Sequence, residues 1–251
     1  MARTPYRKYG TGIYRREMNV KTAPGIAIGE MVDDFHHFRA TIYHDGKIVQ
    51  EVIAEALRPP WSTCVQTVDA IKALNGMPLN PSLREPGKYT PIKNQCTHMF
   101  DAAALAIARL GRGLGDVVYS IVIPDRDENS ATTVAVKRDE KLLFTWKLND
   151  NTIAGPEQFA GQRIIGGRLA EWAEANLDAN TLEATLLCQR ACLISLGRAM
   201  DLESFSCAKE VPGGPTGACH TFTEGTIEQA VRVVGSVRDF THWNGPLGSA
   251  T

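Results

Sequence analysis

Apolar and polar residues alternate with a period of two between residues 26 and 57. The segment 38–43 reads Phe-Arg-Ala-Thr-Ile-Tyr, which is typical of a strand with one buried face. Asp45-Gly46 follows, and this pair favours a tight turn between two strands. A second apolar run covers 48–57 and ends at Pro59-Pro60. The pattern predicts an antiparallel hairpin.

The period then lengthens to that of a helix. Apolar residues at 65, 68, 71 and 74 predict a helix capped by Ser62 or Thr63 and ended by Gly76. A loop rich in proline and glycine covers 78–91 and is expected to be mobile or to face a substrate. A second, alanine-rich helix is predicted from about residue 95 to residue 110, closely packed against a neighbour.

Strand periodicity returns in the second half of the chain. Segments 117–123, 132–136 and 142–148 predict an antiparallel meander, and helices are predicted at about 160–177, 181–200 and 224–234. The predicted fold class is therefore α+β, a hairpin and a meander packed against helices. We expect a single domain over 1–241, with parts 26–115 and 116–241, followed by a flexible tail at 242–251.

Charge and hydropathy narrow the possible partners. The chain of 251 residues has 27 Lys plus Arg and 28 Asp plus Glu, a net charge of −1. This balance argues against nucleic-acid binding, which depends on excess positive charge. No apolar stretch approaches the length of a membrane span. We expect a cytoplasmic protein that binds neither nucleic acid nor membrane.

The N-terminus is basic, with no acidic residue before Glu17. It could be a transit peptide, a phosphate-binding arm or a solvated arm leading into the first strand, of which the last is favoured. The basic residues concerned are Arg3, Arg7, Lys8, Arg15 and Arg16.

The candidate chemistry lies near the starts of the first two helices. Cys64 occurs where the hairpin ends, and Cys96 and His98 occur where the second helix begins. A helix N-terminus stabilises a thiolate, and thiolate and imidazole are zinc ligands. Asp101, one turn later, is a candidate ligand, general base or partner of a ligand. The alternative interpretation is that both cysteines are buried packing residues.

Two other cysteine groups carry weaker signals. Cys219-His220 follows a rigid loop, 212–215, and could bring a thiol and an imidazole to the same centre or simply lead into the next helix. Cys188 and Cys192 share one helix face among leucines, so packing is favoured there. Disulfides are not expected in a long chain without an export signal.

Several motifs resemble the bacterial domain-of-unknown-function family 2889, over roughly residues 10–241. They are Phe38–Asp45, Glu55–Arg58, Pro60–Cys64, Cys96–Asp101, Cys192–Ser195, Gly217–Cys219 and Gly235–Phe240. More distantly, the part over 26–115 is similar to iron–sulfur scaffold folds of the NifU and SufE types. In those folds a cysteine precedes the hairpin, where this chain has His36-His37, and a histidine precedes the last cysteine, where it has Gln95.

The scaffold resemblance implies a converging metal pocket. Its expected ligands are Cys64, Cys96, His98 and His37, and its expected cofactor is a divalent metal, zinc or iron. His37 and Asp101 are the expected catalytic proton carriers. The family resemblance implies a small aromatic substrate, because such families are common in bacteria that degrade aromatic compounds.

Three functions follow from these expectations. The first is a catabolic lyase that acts on a lignin-derived aromatic molecule, for example by releasing formaldehyde, at a deep apolar pocket beside Cys64. The second is a metal or iron–sulfur carrier with a shallow, exposed cysteine site. The third is a structural domain whose cysteines are all buried. We favour the lyase and expect a homodimer or larger homo-oligomer. Expected aromatic walls are Trp61, Tyr89, Phe100 and Trp146.

Overall fold

The computed structural model describes residues 9–214 and 216–249. Within this part the chain forms two compact units. Unit one comprises residues 9–17, 118–201 and 239–249, and unit two comprises the rest. Arg3, Arg7, Lys8 and Pro215 lie outside the described residues. The expectation of a single domain over 1–241 stays a prediction.

The hairpin predicted in unit two is confirmed. Strands β2 (Ile26–Asp33), β3 (His37–His44) and β4 (Val49–Arg58) pair antiparallel in sequence order. Their alternation puts Phe38, Ala40 and Ile42 on a fully buried face.

A further strand, β1 (Ile13–Ala23), precedes them and was not predicted. Arg15 and Arg16 belong to this strand, not to a solvated arm. Arg16 is only 1% exposed and its Nε donates to the hydroxyl of Tyr14 at 3.0 Å. A buried arginine in the strand breaks the apolar alternation that would have revealed it.

The alanine-rich helix α1 (Thr97–Gly111) packs against β2 and β3. Helix α1 and strand β2 lie so close together that only glycine fits at position 29. A Cβ at Gly29 would lie 2.2 Å from the carbonyl oxygen of Ala102. Small side chains on both elements therefore let the helix lie directly on the strands. The prediction of a closely packed second helix is confirmed.

The segment between β4 and α1 is less regular than the prediction. Residues 62–75 form two short 3₁₀ segments, Ser62–Thr67 and Ala70–Leu74, instead of one α-helix. The N-cap of the first is Trp61, and neither Ser62 nor Thr63 caps it. Several β-branched residues in this stretch disfavour a continuous α-helix, because their χ1 freedom is lost against the preceding turn.

The meander predicted for unit one is also confirmed. Strands β5 (Val117–Pro124), β6 (Ala131–Arg138) and β7 (Lys141–Asn149) pair antiparallel, and a short strand β8 (Thr152–Gly155) continues them. Only Val117 of β5 belongs to unit two. The fold class is therefore α+β, as the sequence predicts.

The helices of the second half are shorter than predicted. Helix α2 covers Leu169–Asn176, and helix α3 covers Ala179–Ser195. Asp178 caps α3 by accepting hydrogen bonds from the backbone N–H groups of Asn180 and Thr181. The helix predicted at 224–234 is wrong, because these residues form turns and two isolated bridges. Among the described residues no helix is long and apolar enough to cross a bilayer.

Candidate functional site

Cys64 and Cys96 lie together in unit two. Cys64 is in the first turn of the 3₁₀ segment after β4, and Cys96 is the N-cap of α1. Each is only 6% exposed. The two thiols lie close enough to shift each other's pKa, with Cys96 as the donor towards the sulfur of Cys64. The expectation that these two cysteines converge therefore agrees with the geometry, although they converge as buried groups.

The surroundings of Cys64 favour its thiolate form. The hydrogen bond from Cys96 is the largest cause that lowers the pKa of Cys64, and it outweighs burial, which raises it. The hydroxyl of Thr221, 3.6 Å from Sγ, contributes next, followed by a backbone hydrogen bond from Trp61 and the positive charge of Arg232. Donating to Cys64 and losing water raise the pKa of Cys96 well above its ordinary value. Cys64 is therefore the thiol of this pair that ionises more readily.

A distant segment of the chain supplies Thr221. The 3₁₀ turn His220–Phe222 is fixed by a backbone hydrogen bond from His220 to the carbonyl of Gln95, 2.9 Å long. The His220 ring also meets Gln66 at 3.0 Å. The hydroxyls of Thr221 and Thr63 lie 2.9 Å apart. If Thr63 donates to Thr221, then Thr221 is free to donate to the sulfur of Cys64.

Cys219, at the start of this turn, is close enough for its charge to raise the pKa of Cys96. The segment 217–220 thus places a third thiol near the pair, and the interpretation that it brings both a thiol and an imidazole to one centre stays a prediction. The imidazole of His220 points to Gln66. Pro215, in the loop before it, lies outside the described residues.

An aromatic residue and a buried arginine border the thiols. The guanidinium of Arg232 lies 5.1 Å from the ring centroid of Trp61, in cation–π geometry. Its donors also reach the carbonyl of Pro60 at 3.2 Å and the hydroxyl of Ser236 at 3.1 Å. Phe222 meets Trp61 edge to face at 6.5 Å. Trp61 is therefore a rigid wall beside Cys64.

The other predicted aromatic walls are placed differently. Phe100 is buried in α1, and Tyr89 is exposed. Trp146 belongs to unit one, where it stacks on Phe144 at 5.5 Å. Only Trp61 of the four has a described link to the thiol centre.

His98 meets His36 rather than the thiols. The two imidazole rings stack with centroids 3.7 Å apart and planes at 23°. Asp33 Oδ1 lies 2.9 Å from Nδ1 of His36. Three buried residues, Asp33, His36 and His98, come together here. One potential ligand atom from each lies within 4.8 Å of those of the other two.

His37 is directed to a different place. Its Nε2 lies 2.9 Å from Glu30 Oε1, and Arg39 donates to the same oxygen at 2.9 Å. The hydrogen bond with His37 is the main cause that lowers the pKa of Glu30 to about 2. His36 lies just before β3 and contacts Asp33, so the two histidines have different partners. The predicted ligand set of Cys64, Cys96, His98 and His37 is thus divided among three locations.

Asp101 is half-buried on α1, one turn after His98. Cys188 and Cys192 are buried in α3, and Cys207 is half-buried at an isolated bridge with Val231.

Sequence reasoning missed Asp33, Thr221 and Arg232 as members of these sites, and it chose His37 over His36. The sequence did contain one signal that favours His36. The apolar residues Phe38, Ala40 and Ile42 show that even-numbered positions of this segment face the core. The same parity assigns His36 to the core-facing side. Thr221 and Arg232 reach the site from more than 150 residues away along the chain, and no local pattern indicates this.

A comparison with protein-family models found no match, and a search of curated proteins found none either. The arrangement itself therefore has to indicate the chemistry. It offers a thiol with a lowered pKa, whose ionised form can accept a proton or attack an electrophile, and a separate pair of imidazoles with a carboxylate.

Proposed function

We propose that this chain is a cytoplasmic catabolic enzyme, a lyase, that uses the Cys64 thiolate as its proton-accepting group on a small aromatic substrate. One observation carries the proposal: Cys64 is 6% exposed, yet its pKa is lowered. A thiol buried among apolar groups alone has a raised pKa. The donors around this sulfur are therefore arranged for an anion, which a packing residue does not need.

Burial of the thiols favours an enzyme over a carrier. A carrier must expose its cysteines to a partner protein, whereas Cys64 and Cys96 are each 6% exposed. A small molecule can enter such a site when its covering residues move, and exclusion of water then strengthens the electrostatic interactions inside.

The reaction that we favour needs no redox cofactor. Cys64 takes the proton of a primary hydroxyl group, the C–C bond to that carbon breaks, and formaldehyde leaves. The electron pair of the broken bond forms a C=C bond as a phenoxide departs from the neighbouring benzylic carbon. The proton held by Cys64 then passes to the phenoxide. Atoms and charge balance, with formaldehyde, an alkene and a phenol as products.

The aromatic part of the proposal has two supports. Trp61, three residues before Cys64, is a buried aromatic residue whose ring is held by the guanidinium of Arg232. The sequence motifs around Cys64 and Cys96 led to the same expectation through their resemblance to a family common in bacteria that degrade aromatic compounds, although no family model matches the chain.

The test is release of formaldehyde from a diaryl substrate with a primary hydroxymethyl group and a benzylic aryl ether. We expect the wild-type chain to release it, and Cys64→Ala to lose about 10²- to 10⁴-fold in rate, the usual contribution of general base catalysis. Cys192→Ala, at a buried cysteine outside the site, is the matched control and should stay within about twofold. Full activity of Cys64→Ala would refute the role of the thiolate, and no formaldehyde from the wild type would refute the reaction.

The carrier stays as an alternative because three thiols, of Cys64, Cys96 and Cys219, lie near one another. It predicts a purified protein with zinc or an iron–sulfur cluster held by sulfur, which elemental analysis and absorption spectra detect. Sulfur-bound metal released to an apo acceptor protein would favour the carrier over the lyase.

A further inference from the structure

We propose that His36 and His98, with Asp33 orienting His36, form a binding site for a divalent first-row transition metal, separate from the thiol centre. The proposal does not depend on the lyase function. Its basis is geometric: three buried ligand-type side chains from two elements place one ligand atom each within 4.8 Å of the others. Imidazole and carboxylate ligands suit zinc and ferrous iron.

The bond between Asp33 and His36 sets the ring in the ligand form. Oδ1 of Asp33 lies 2.9 Å from Nδ1 of His36, so Nδ1–H donates to the carboxylate and the lone pair of the ring is on Nε2. A carboxylate that orients a histidine through its other ring nitrogen is the usual support of a metal ligand. The tautomer follows from the carboxylate, which can only accept.

The stack between His36 and His98 holds the two rings face to face, with centroids 3.7 Å apart and planes at 23°. Imidazole is the side chain that most often binds such metals. Phe38 lies nearly parallel to His98, with ring centroids 6.2 Å apart, and borders the pair on one side.

The turn that carries Asp33 and His36 is fixed before any metal binds. Oδ1 of Asp33 accepts from the backbone N–H groups of Phe35 and His36 at 2.8 Å each. The guanidinium of Arg58 donates to the carbonyls of Asp33 at 2.6 Å and of His36 at 2.9 Å. It also donates to Asp34 and Ser236. Such a clamp keeps ligands in place and lowers the entropy lost on binding.

The experiment is metal binding by the purified full chain without a tag. Zn²⁺ and Fe²⁺ are added in separate arms, bound metal is measured by equilibrium dialysis with elemental analysis, and the zinc form is examined by X-ray absorption. We expect one ion per chain with nitrogen and oxygen ligands at about 2.0–2.1 Å and no sulfur at about 2.3 Å.

Variants separate this site from the thiols. His36→Gln and His98→Gln should lose the ion, while His37→Gln, the adjacent residue bound to Glu30, should keep it. Asp33→Asn, which retains an acceptor for the turn, should weaken binding by about 10- to 100-fold. The triple variant Cys64→Ser, Cys96→Ser, Cys219→Ser should keep the ion and lose formaldehyde release.

Sulfur ligands, or loss of metal in the triple thiol variant with retention in His98→Gln, would overturn the inference. So would the absence of stoichiometric zinc and iron binding by the wild type. Circular dichroism of each variant checks that it is folded. If the two glutamine variants unfold, Asp33→Asn and the X-ray absorption of the wild type still decide the question. The lyase proposal fails separately, through the formaldehyde assay.

Discussion

Cys64 with Cys96 in unit two, and Cys188 with Cys192 in unit one, are two pairs of buried thiols, each with a hydrogen bond between its sulfurs. In the second pair burial dominates and raises the pKa of Cys188 well above its ordinary value. In the first pair the pKa of Cys64 is lowered. Cys96, like Cys188, has a raised pKa. Its interaction with Cys64 is the largest cause that lowers the pKa of Cys64, and further donors around that sulfur add to it.

Among the described residues, only burial and Cys192 shift the pKa of Cys188, and both raise it. Cys64 has the Thr221 hydroxyl, a backbone donor and the charge of Arg232. Burial alone therefore does not decide whether a cysteine is inert. The orientation of the dipoles around it decides, because a fixed donor stabilises an anion without reorganising.

Removal of Cys96 should have the largest effect on this contrast. Cys96→Ala deletes the first cause of the lowered pKa of Cys64. A hydrogen bond to a charged group contributes roughly 1.5–3 kcal/mol, so alkylation of Cys64 at pH 7 should slow by about tenfold or more. The measurement is the rate of iodoacetamide labelling by mass spectrometry. An unchanged rate would show that Cys96 does not activate Cys64.

Thr221→Val should have a smaller effect, because its hydroxyl lies 3.6 Å from the sulfur. We expect labelling of Cys64 to slow by about threefold and unfolding to require about 1 kcal/mol less, since the bond to Thr63 is also lost.

Thr185→Val in α3 is the matched control. Its hydroxyl is buried, and among the described residues it has no hydrogen-bond partner. Removing an unsatisfied polar group should leave stability unchanged or raise it by up to about 1 kcal/mol. Equal losses of stability in the two valine variants, measured by urea denaturation, would contradict this difference.

Arg232 should change Cys64 least, because its charge lowers the pKa of Cys64 less than Cys96, Thr221 or the backbone of Trp61 does. Arg232→Lys keeps a charge but loses the planar contact with Trp61 and some of its hydrogen bonds. We expect less than about a twofold change in the labelling rate at pH 7, together with a loss of stability. A labelling rate that falls more than in Cys96→Ala would reverse the assigned order of causes.

The pH dependence of stability should separate the pairs, and we expect this effect to be the smallest. The raised pKa of Cys188 favours the thiol in the folded state. Its contribution is complete below about pH 8.5, where a free cysteine begins to ionise, and is lost as the pH rises further. Wild type should therefore lose stability between pH 8.5 and 10 more steeply than Cys188→Ala.

The opposite sign holds for Cys64. Its lowered pKa favours the thiolate in the folded state, so its contribution grows as the pH rises towards about 8.5. Wild type should gain stability relative to Cys64→Ala over this range, measured by urea denaturation at each pH. Parallel pH profiles for all three proteins would contradict both assignments.

Local patterns predicted the hairpin, the meander, α1 and α3, because each follows a regular period. They missed β1, where buried Arg16 interrupts the alternation. They also predicted a helix at 224–234, where the chain turns so that Val231 and Arg232 can bridge back to Cys207 and Trp61. Long-range contacts of this kind outweigh local propensity and leave no periodic trace.

The candidate site was predictable to a similar extent. Two cysteines at successive element starts indicated that Cys64 and Cys96 meet. The choice between His36 and His37 needed the face of β3, which the parity of Phe38 and Ala40 supplies. Thr221 and Arg232, which distinguish Cys64 from Cys188, become visible only in the folded chain.

The most direct test of the central claim is the pH profile of iodoacetamide labelling at Cys64 in the wild-type protein, with Cys188 followed in the same digest. We predict that the Cys64 rate reaches half its plateau below pH 8.5, the value for a free thiol, while Cys188 stays unlabelled under native conditions. A Cys64 that is inert, or that titrates at or above the free-thiol value, would contradict an activated thiolate and make the two pairs equivalent.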